Sequence, residues 1–345
     1  MLNSTIRPEA SAPLAITMGD AAGIGPEIIV KAFARGDAAD CVVYGDAETV
    51  AAAAARLPGA SPVVARIDRL EQRVALPAGV LPVVQAAGIA PGSLRALLPG
   101  RVDARAGAAA YAAIVAATGD ALRGALRAVV TAPIHKEALH AAGVPFPGHT
   151  ELLQHLCGGV AVRMMLANAQ LRTVLVTIHV GIRAALDAIT TEAVLDTVRI
   201  TAAALRRWGV PQPRIAVAGL NPHAGEGGLF GDEEARIIAP AIAAARAEGI
   251  DASGPHAPDT VFMRARHAPP QHPGEFDVVV AMLHDHGLIP VKYLGLADGV
   301  NVTLGLPIQR TSPDHGTAFD IAGRGVADPA SLCSAIALAR RLSAG

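Results

Sequence analysis

The stretch 282–329, MLHDHGLIPVKYLGLADGVNVTLGLPIQRTSPDHGTAFDIAGRGVADP, holds the densest set of side chains that could do chemistry. His284 and Asp285 follow FDVVVAM (276–282), an apolar run short enough for a buried strand. Ligands of open α/β sheets gather beyond the carboxyl ends of the strands, so these two residues stand where a ligand is expected. Two more histidines pass the same test: His179 closes LRTVLVTIHV (171–180), and His223 falls just past the apolar run of RIAVAGLNPHAGE (214–226). Three imidazoles from three strand ends could hold a divalent metal and leave coordination positions open, as a catalytic site requires. His140, His155, His256, His267 and His272 read instead as surface or packing residues.

Lys292, Asn301 and Arg310, read as lying on Gly- or Pro-containing turns, add two cations and an amide. That set matches a phosphate or carboxylate in charge and in fork geometry. In PGHTELL (147–153), His149 and Thr150 precede a helix whose free N–H groups favour an anion. A plain threonine cap is the competing reading. Together these residues point to an anionic substrate beside a metal.

The elements that must position them alternate. LAITM (14–18) is a strand, followed by the glycine loop GDAAGIGPE (19–27), with Asp20 as its functional candidate and Pro26 and Glu27 in the first turn of a helix. No G-x-G-x-x-G pattern is present, so a tight turn that only needs its glycines competes with a ligand loop. CVVYGD (41–46), VLPVV near residue 82 and AVVTAP (128–133) read as strands, with a small-residue helix over 103–127 between the last two. Further helices are expected up to Gly209, over 232–249 with Asp232 as cap, and over 330–341, while Asp259 sits in the loop PHAPDTVF. Such alternation predicts a parallel sheet flanked by helices.

At 345 residues the chain is long enough for two lobes. A formal net charge of -1 with 17 % charged residues argues against a nucleic-acid or membrane-surface partner. No apolar run reaches a membrane span, residues 1–12 lack a signal-peptide core and read as a disordered tail, and three scattered cysteines fit a reducing compartment. A cytoplasmic protein is expected.

With these motifs assembled, the chain resembles the 4-hydroxythreonine-4-phosphate dehydrogenase family of vitamin B6 biosynthesis from residue 14 onward. GDAAGIGPE, TAPIHKEAL (131–139), PGHTELL, TIHV, GLNPHAGEGG (219–228), PDTVF, MLHDHG (282–287), GVNVTLGLP (299–307) and RTSPDHGTAFDIAGRG (310–325) carry the resemblance. It implies an isocitrate/isopropylmalate dehydrogenase-like fold, with two α/β lobes carrying parallel-rich sheets around an interdomain cleft. Residues 13–135 plus 305–345 would form the outer lobe, and 136–304 a central lobe with the metal ligands and a homodimer interface near the active site.

The resemblance also implies residue roles: His179, His223 and His284 as metal ligands, and His149, Thr150, Lys292, Asn301 and Arg310 as substrate contacts. The tail HGTAFDIAGRG looks like an adenosine-binding loop, which makes His315, Gly316, Thr317 and Asp320 the cofactor candidates. The implied cofactors are NAD, with NADP open, and a divalent metal, zinc first, with Mg, Co, Ni or Mn open. Ala21 and His286 depart from the family's usual proline and glutamine. A titratable donor at 286 could shift substrate choice, and paralogues act on D-threonate or D-erythronate 4-phosphate.

The expected chemistry is oxidation of 4-phosphohydroxy-L-threonine by NAD, followed by metal-assisted loss of CO2 to 3-amino-2-oxopropyl phosphate. The sugar-acid alternative would give dihydroxyacetone phosphate. Asp259, His286 and Lys292 are the candidates for the base, and the sequence does not choose among them. A non-catalytic phosphate-metabolite binder and a metal-dependent aldolase or hydrolase are the rival classes. Neither needs an adenosine loop.

Overall fold

Short apolar runs that are buried on both faces can only be inner strands of a helix-covered sheet, and the chain opens with several of them. The structure, a computed structural model, describes residues 12–59, 61–295 and 298–344. Residues 1–11 of the expected tail lie outside the described residues. Ala12, the last of that tail, is buried, and its carbonyl accepts from Arg127 Nε at 2.6 Å, so it belongs to the fold.

The first strands and helices are β1 (Leu14–Thr17), α1 (Gly25–Ala34), β2 (Cys41–Gly45), α2 (Ala47–Ala54), β3 (Val63–Ile67) and β4 (Val80–Gln85). They are followed by α3 (Ala104–Leu122), β5 (Ala128–Thr131), α4 (Lys136–Ala141) and α5 (His149–Leu156). Asp46 caps α2 by accepting from the Thr49 amide at 2.9 Å, and Asp103 caps α3 by accepting from the Arg105 amide at 2.8 Å. The chain then crosses into β6 (Arg163–Ala167), β7 (Arg172–Leu175), α6 (Ile182–Ala188), α7 (Thr191–Arg207), β8 (Ile215–Ala218), α8 (Ala239–Ala247), β9 (Ala252–His256) and α9 (Val261–Ala265). The small hairpin β10 (His267–Ala268) and β11 (His272–Pro273) precedes β12 (Val278–Ala281), α10 (His284–Leu294) and β13 (Val300–Leu304), and β14 (Arg310–Pro313) and α11 (Ala330–Leu342) close the chain.

The described residues form two compact units, one within 12–160 with 306–344 and one within 161–305. In the first, the strand order is β3-β4-β2-β1-β5-β14, and every pair is parallel. In the second the order is β13-β6-β7-β12-β8-β9, where β6 runs antiparallel to both neighbours and the rest are parallel. The α/β class with a mostly parallel sheet is therefore the one found. Leu166, Leu175, Val261, Val279, Leu288 and Val291 fill the core of the second unit.

Several local expectations need correction. Segment 136–160, assigned from sequence to the central lobe, clusters with the first unit, because α4 and α3 pack there. Asp232 does not cap a continuous helix: a π turn, Glu234–Ile238, precedes α8. The exposed strand β3 and the hairpin partner β6 had no clear apolar alternation to announce them. Lys292, Asn301 and Arg310 lie on α10, β13 and β14, not on turns. Pro290 sits inside α10 and reads as a turn signal from sequence, which is how Lys292 came to be misplaced.

Candidate active site

In the second unit, β7 and β12 are parallel neighbours, so the segments leaving their carboxyl ends emerge side by side. The Val176 amide donates to Ala281 O at 2.9 Å and the Thr177 amide to Met282 O at 3.2 Å, extending that pairing toward the histidines. His179 and His284 then face each other with ring centroids 5.6 Å apart. Both line a cavity of about 410 Å³ together with Thr177, Val180, Asp285 and His286. His284 opens α10, and its Nδ1 lies 2.7 Å from Asp285 Oδ1. A carboxylate at Nδ1 assigns the proton to that nitrogen and leaves the Nε2 lone pair for a metal.

His223 is held differently. After β8 the carboxylate of Glu234, itself buried, accepts from the amides of Leu220 and Asn221, both at 2.7 Å, and from Asn221 Nδ2 at 3.0 Å. Burial raises the Glu234 carboxyl, but the Asn221 and Leu220 bonds outweigh it and hold it below its ordinary range. The turn so pinned puts His223, Ala224 and Glu226 in the left-handed region, with φ of 52°, 53° and 43°. Such conformations cost about 1–3 kcal/mol each and concentrate at functional sites. His223 is exposed beside Phe230 and does not line the histidine cavity. Among the described residues no three His, Cys, Asp or Glu side chains gather at metal distance, so the residues present fit a metal as a pair plus a separate third imidazole.

Of the base candidates, His286 lines the cavity, half-buried, with Nδ1 shielded from solvent and without a partner. Burial lowers its pKa, and the Asp285 charge works against that shift. Lys292 is half-buried further along α10, Asn301 half-buried in β13, and Asp259 exposed in the turn before α9.

The first unit holds a second cluster. Arg310, 3 % exposed, donates from Nε and Nη2 to Thr131 Oγ1 at 3.2 and 2.7 Å. Burial lowers its pKa to about 10, which leaves it cationic at neutral pH. His149 is the first residue of α5 and Thr150 the second, with Gly148 as the cap, so Thr150 is not the cap. Burial and then the Arg310 charge push His149 well below its ordinary value, and its Nε2 is buried without a partner. A guanidinium and a neutral imidazole at a helix start suit a phosphate.

In the tail loop, the Thr317 carbonyl accepts from the Ile24 amide at 3.1 Å, His315 is half-buried, and Gly316 and Asp320 are exposed. Glu27 ties this loop to α1. Its carboxylate accepts from the amides of Gly325 and Ala327 at 3.2 and 2.8 Å, while Lys31 donates to their carbonyls at 2.9 and 2.6 Å. Sequence reasoning passed over Thr131 and His135. Yet His135 lies four residues past the end of β5, the same distance that separates His179 from the end of β7, so the strand-end test could have found it.

The parallel sheets with histidines and a buried arginine at strand ends define an α/β metabolic enzyme. Residues 37–339 match the family model described as pyridoxal phosphate biosynthetic protein PdxA, and the chain belongs to that family. A 4-hydroxythreonine-4-phosphate dehydrogenase of Beijerinckia indica is 56 % identical over 331 residues, 96 % of this chain and 95 % of that protein. A D-threonate 4-phosphate dehydrogenase of Pectobacterium atrosepticum is 46 % identical over 96 % of this chain and 99 % of its own length. The crystal structure of a 4-hydroxythreonine-4-phosphate dehydrogenase from Klebsiella pneumoniae superposes with a TM-score of 0.87 at 45 % identity, covering 96 % of this chain and 99 % of that one.

Proposed function

We propose that the chain is a NAD- and metal-dependent dehydrogenase that oxidises and decarboxylates 4-phosphohydroxy-L-threonine to 3-amino-2-oxopropyl phosphate, a step toward pyridoxal phosphate. The 56 % identity to a full-length relative of that name carries the reading. NAD is the expected acceptor and NADP the alternative. His179 and His284 would hold the divalent ion, zinc first, with Mg, Co, Ni or Mn as alternatives, and His223, which stands outside their cavity, is the candidate third ligand. A bound ion would supply Lewis acidity to the substrate's hydroxyl and carboxylate.

The chain's own groups do the rest. Asp285 fixes the tautomer of His284. Arg310, steadied by Thr131, and His149 with Thr150 are the phosphate contacts, and a held phosphate orients the rest of the substrate. Lys292 and Asn301 are further substrate contacts. His286 is the base the geometry favours, because it alone of the three candidates lines the histidine cavity. His315, Gly316, Thr317 and Asp320 are the adenosine contacts.

Val180, Ile182, Leu186, Ile289 and Tyr293 of the second unit are exposed, Tyr293 at 91 %, and Val180 and Ile182 edge the histidine cavity. Monomeric surfaces rarely leave so much apolar area uncovered, which favours a homodimer whose partner closes over this rim.

The second reading, D-threonate 4-phosphate as substrate, draws on the relatives of that name and on His286. NAD reduction with each phosphorylated acid, with and without chelator, tests both. Chelator-sensitive turnover faster on 4-phosphohydroxy-L-threonine is expected. Faster turnover on D-threonate 4-phosphate would favour the second reading, and no reduction of NAD with either would sink the dehydrogenase reading.

A further inference from the structure

The glycine loop after β1 looks like a phosphate cradle until its amides are followed. The Asp20 amide donates to Pro133 O at 2.9 Å, Ala22 to Asp20 Oδ1 at 2.8 Å, Gly23 to Asp20 O at 3.0 Å and Ile24 to Thr317 O at 3.1 Å. A loop whose amides are already spent, on its own aspartate and on the carbonyls of Pro133 and Thr317, does not bind a diphosphate as the glycine-rich loops of dinucleotide folds do. What it holds in reserve is an acceptor. Asp20 is 1 % exposed, and its Oδ2 has no hydrogen-bond partner.

A second unsatisfied atom lies close by. His135, at the end of β5, has its Nδ1 buried and unpartnered, and its ring is stacked on Phe319 at 4.4 Å and 16°. Phe319 and Thr317 belong to the tail loop, and Gly23 abuts Thr317 so closely that a Cβ there would stand 3.0 Å from the threonine Cβ. Asp20, His135 and the tail loop therefore share one corner of the first unit. Burial raises the Asp20 carboxyl and the Ala22 amide bond opposes that, while His135 and Asp103 lie within electrostatic range; Asp103 is already engaged by Arg105 at 2.7 Å. Two buried polar groups without partners are costly to keep, and a ligand that satisfies both would explain them.

We propose that Asp20 and His135 bind the dinucleotide through paired donor and acceptor groups, the carboxylate accepting an N–H or O–H and the imidazole Nδ1 bonding the oxygen beside it. Two parts of a pyridine dinucleotide offer that pairing: the nicotinamide carboxamide, and a ribose diol. The inference rests on the dehydrogenase reading above and adds residues to it.

Calorimetric titration of the metal-loaded protein with NADH tests it. Asp20→Asn keeps the side-chain shape and removes the charge, and it should weaken NADH binding about tenfold with an unaltered melting point. The 3-acetylpyridine analogue, which lacks the amide N–H, separates the two sources. If the carboxamide is the group, wild type binds the analogue as weakly as Asp20→Asn binds NADH, and the variant loses nothing further on it. If a ribose diol is the group, the variant loses tenfold on both ligands. Should Asp20→Asn fail to fold, His135→Gln at the half-buried partner tests the pairing itself: it should weaken binding of NADH and of the analogue alike, because both keep the oxygen, and an unchanged Kd for NADH overturns the proposal. An unchanged Kd for NADH in a folded variant overturns the proposal, whereas wild type that binds no NADH overturns the dehydrogenase reading instead.

Discussion

A histidine is only as informative as what surrounds its two nitrogens. His179 and His284 face one cavity, so His179→Ala and His284→Ala should each lose bound metal while keeping the wild-type circular dichroism spectrum; metal analysis after dialysis decides it. His149 answers a different question. Its folded pKa lies below the unfolded value near 6.5, so the unfolded chain binds the extra proton first as pH falls. Stability contributed by neutral His149 is present above about 6.5 and declines below it. Thermal melts from pH 7.5 to 5 should therefore show a falling Tm whose slope is shallower in His149→Asn; parallel slopes would show that the ring is solvated. Arg310→Lys should raise the KM for a phosphorylated substrate about tenfold, because an ammonium cannot replace the fork that Nε and Nη2 present to Thr131.

Helices here are packed through their smallest residues. Gly107 on α3 lies so close to α4 that a Cβ would stand 2.0 Å from the Ala138 carbonyl oxygen, backbone that cannot rotate aside. Gly107→Ala should cost about 1–3 kcal/mol, read as a lower denaturation midpoint with an unchanged slope. The long helix itself was legible, because a capping aspartate and a run of alanines announce it. Its depth was not, since an alanine-rich segment shows no apolar stripe to say which face is covered. Strand ends were legible for the same reason that β1, β5, β8 and β12 are buried throughout: three or four apolar residues in a row between turn signals leave little choice. Lys292, Asn301 and Arg310 stood out by residue type, while their elements, α10, β13 and β14, were misread as turns. Asp285 was singled out with His284, but its hold on the His284 Nδ1 needed coordinates, as did Thr131 behind Arg310, because a supporting contact carries no signal in the sequence.

At the scale of the molecule, no helix among the described residues is long and apolar enough to cross a membrane, and Val180, Ile182, Ile289 and Tyr293 of the second unit are exposed. On the proposed homodimer, Tyr293→Arg should lower the sedimentation coefficient to that of a monomer; a wild type that already sediments as a monomer would overturn the dimer, and an unchanged dimer would place its surface elsewhere. Lobe boundaries were the hardest thing to read in advance, because a chain that leaves a domain and returns to it gives no compositional mark at the crossing. The return has its own consequence. Unit one lacks β14 and α11 until residues 306–344 arrive, and Glu27 and Lys31 wait for partners at 325 and 327. On the ribosome, then, the inserted unit 161–305 is complete while the chain that began earlier is still unfinished. Helix α1 is thus fastened by a segment made some three hundred residues later, and loss of residues 306–344 would leave the earlier-made unit open.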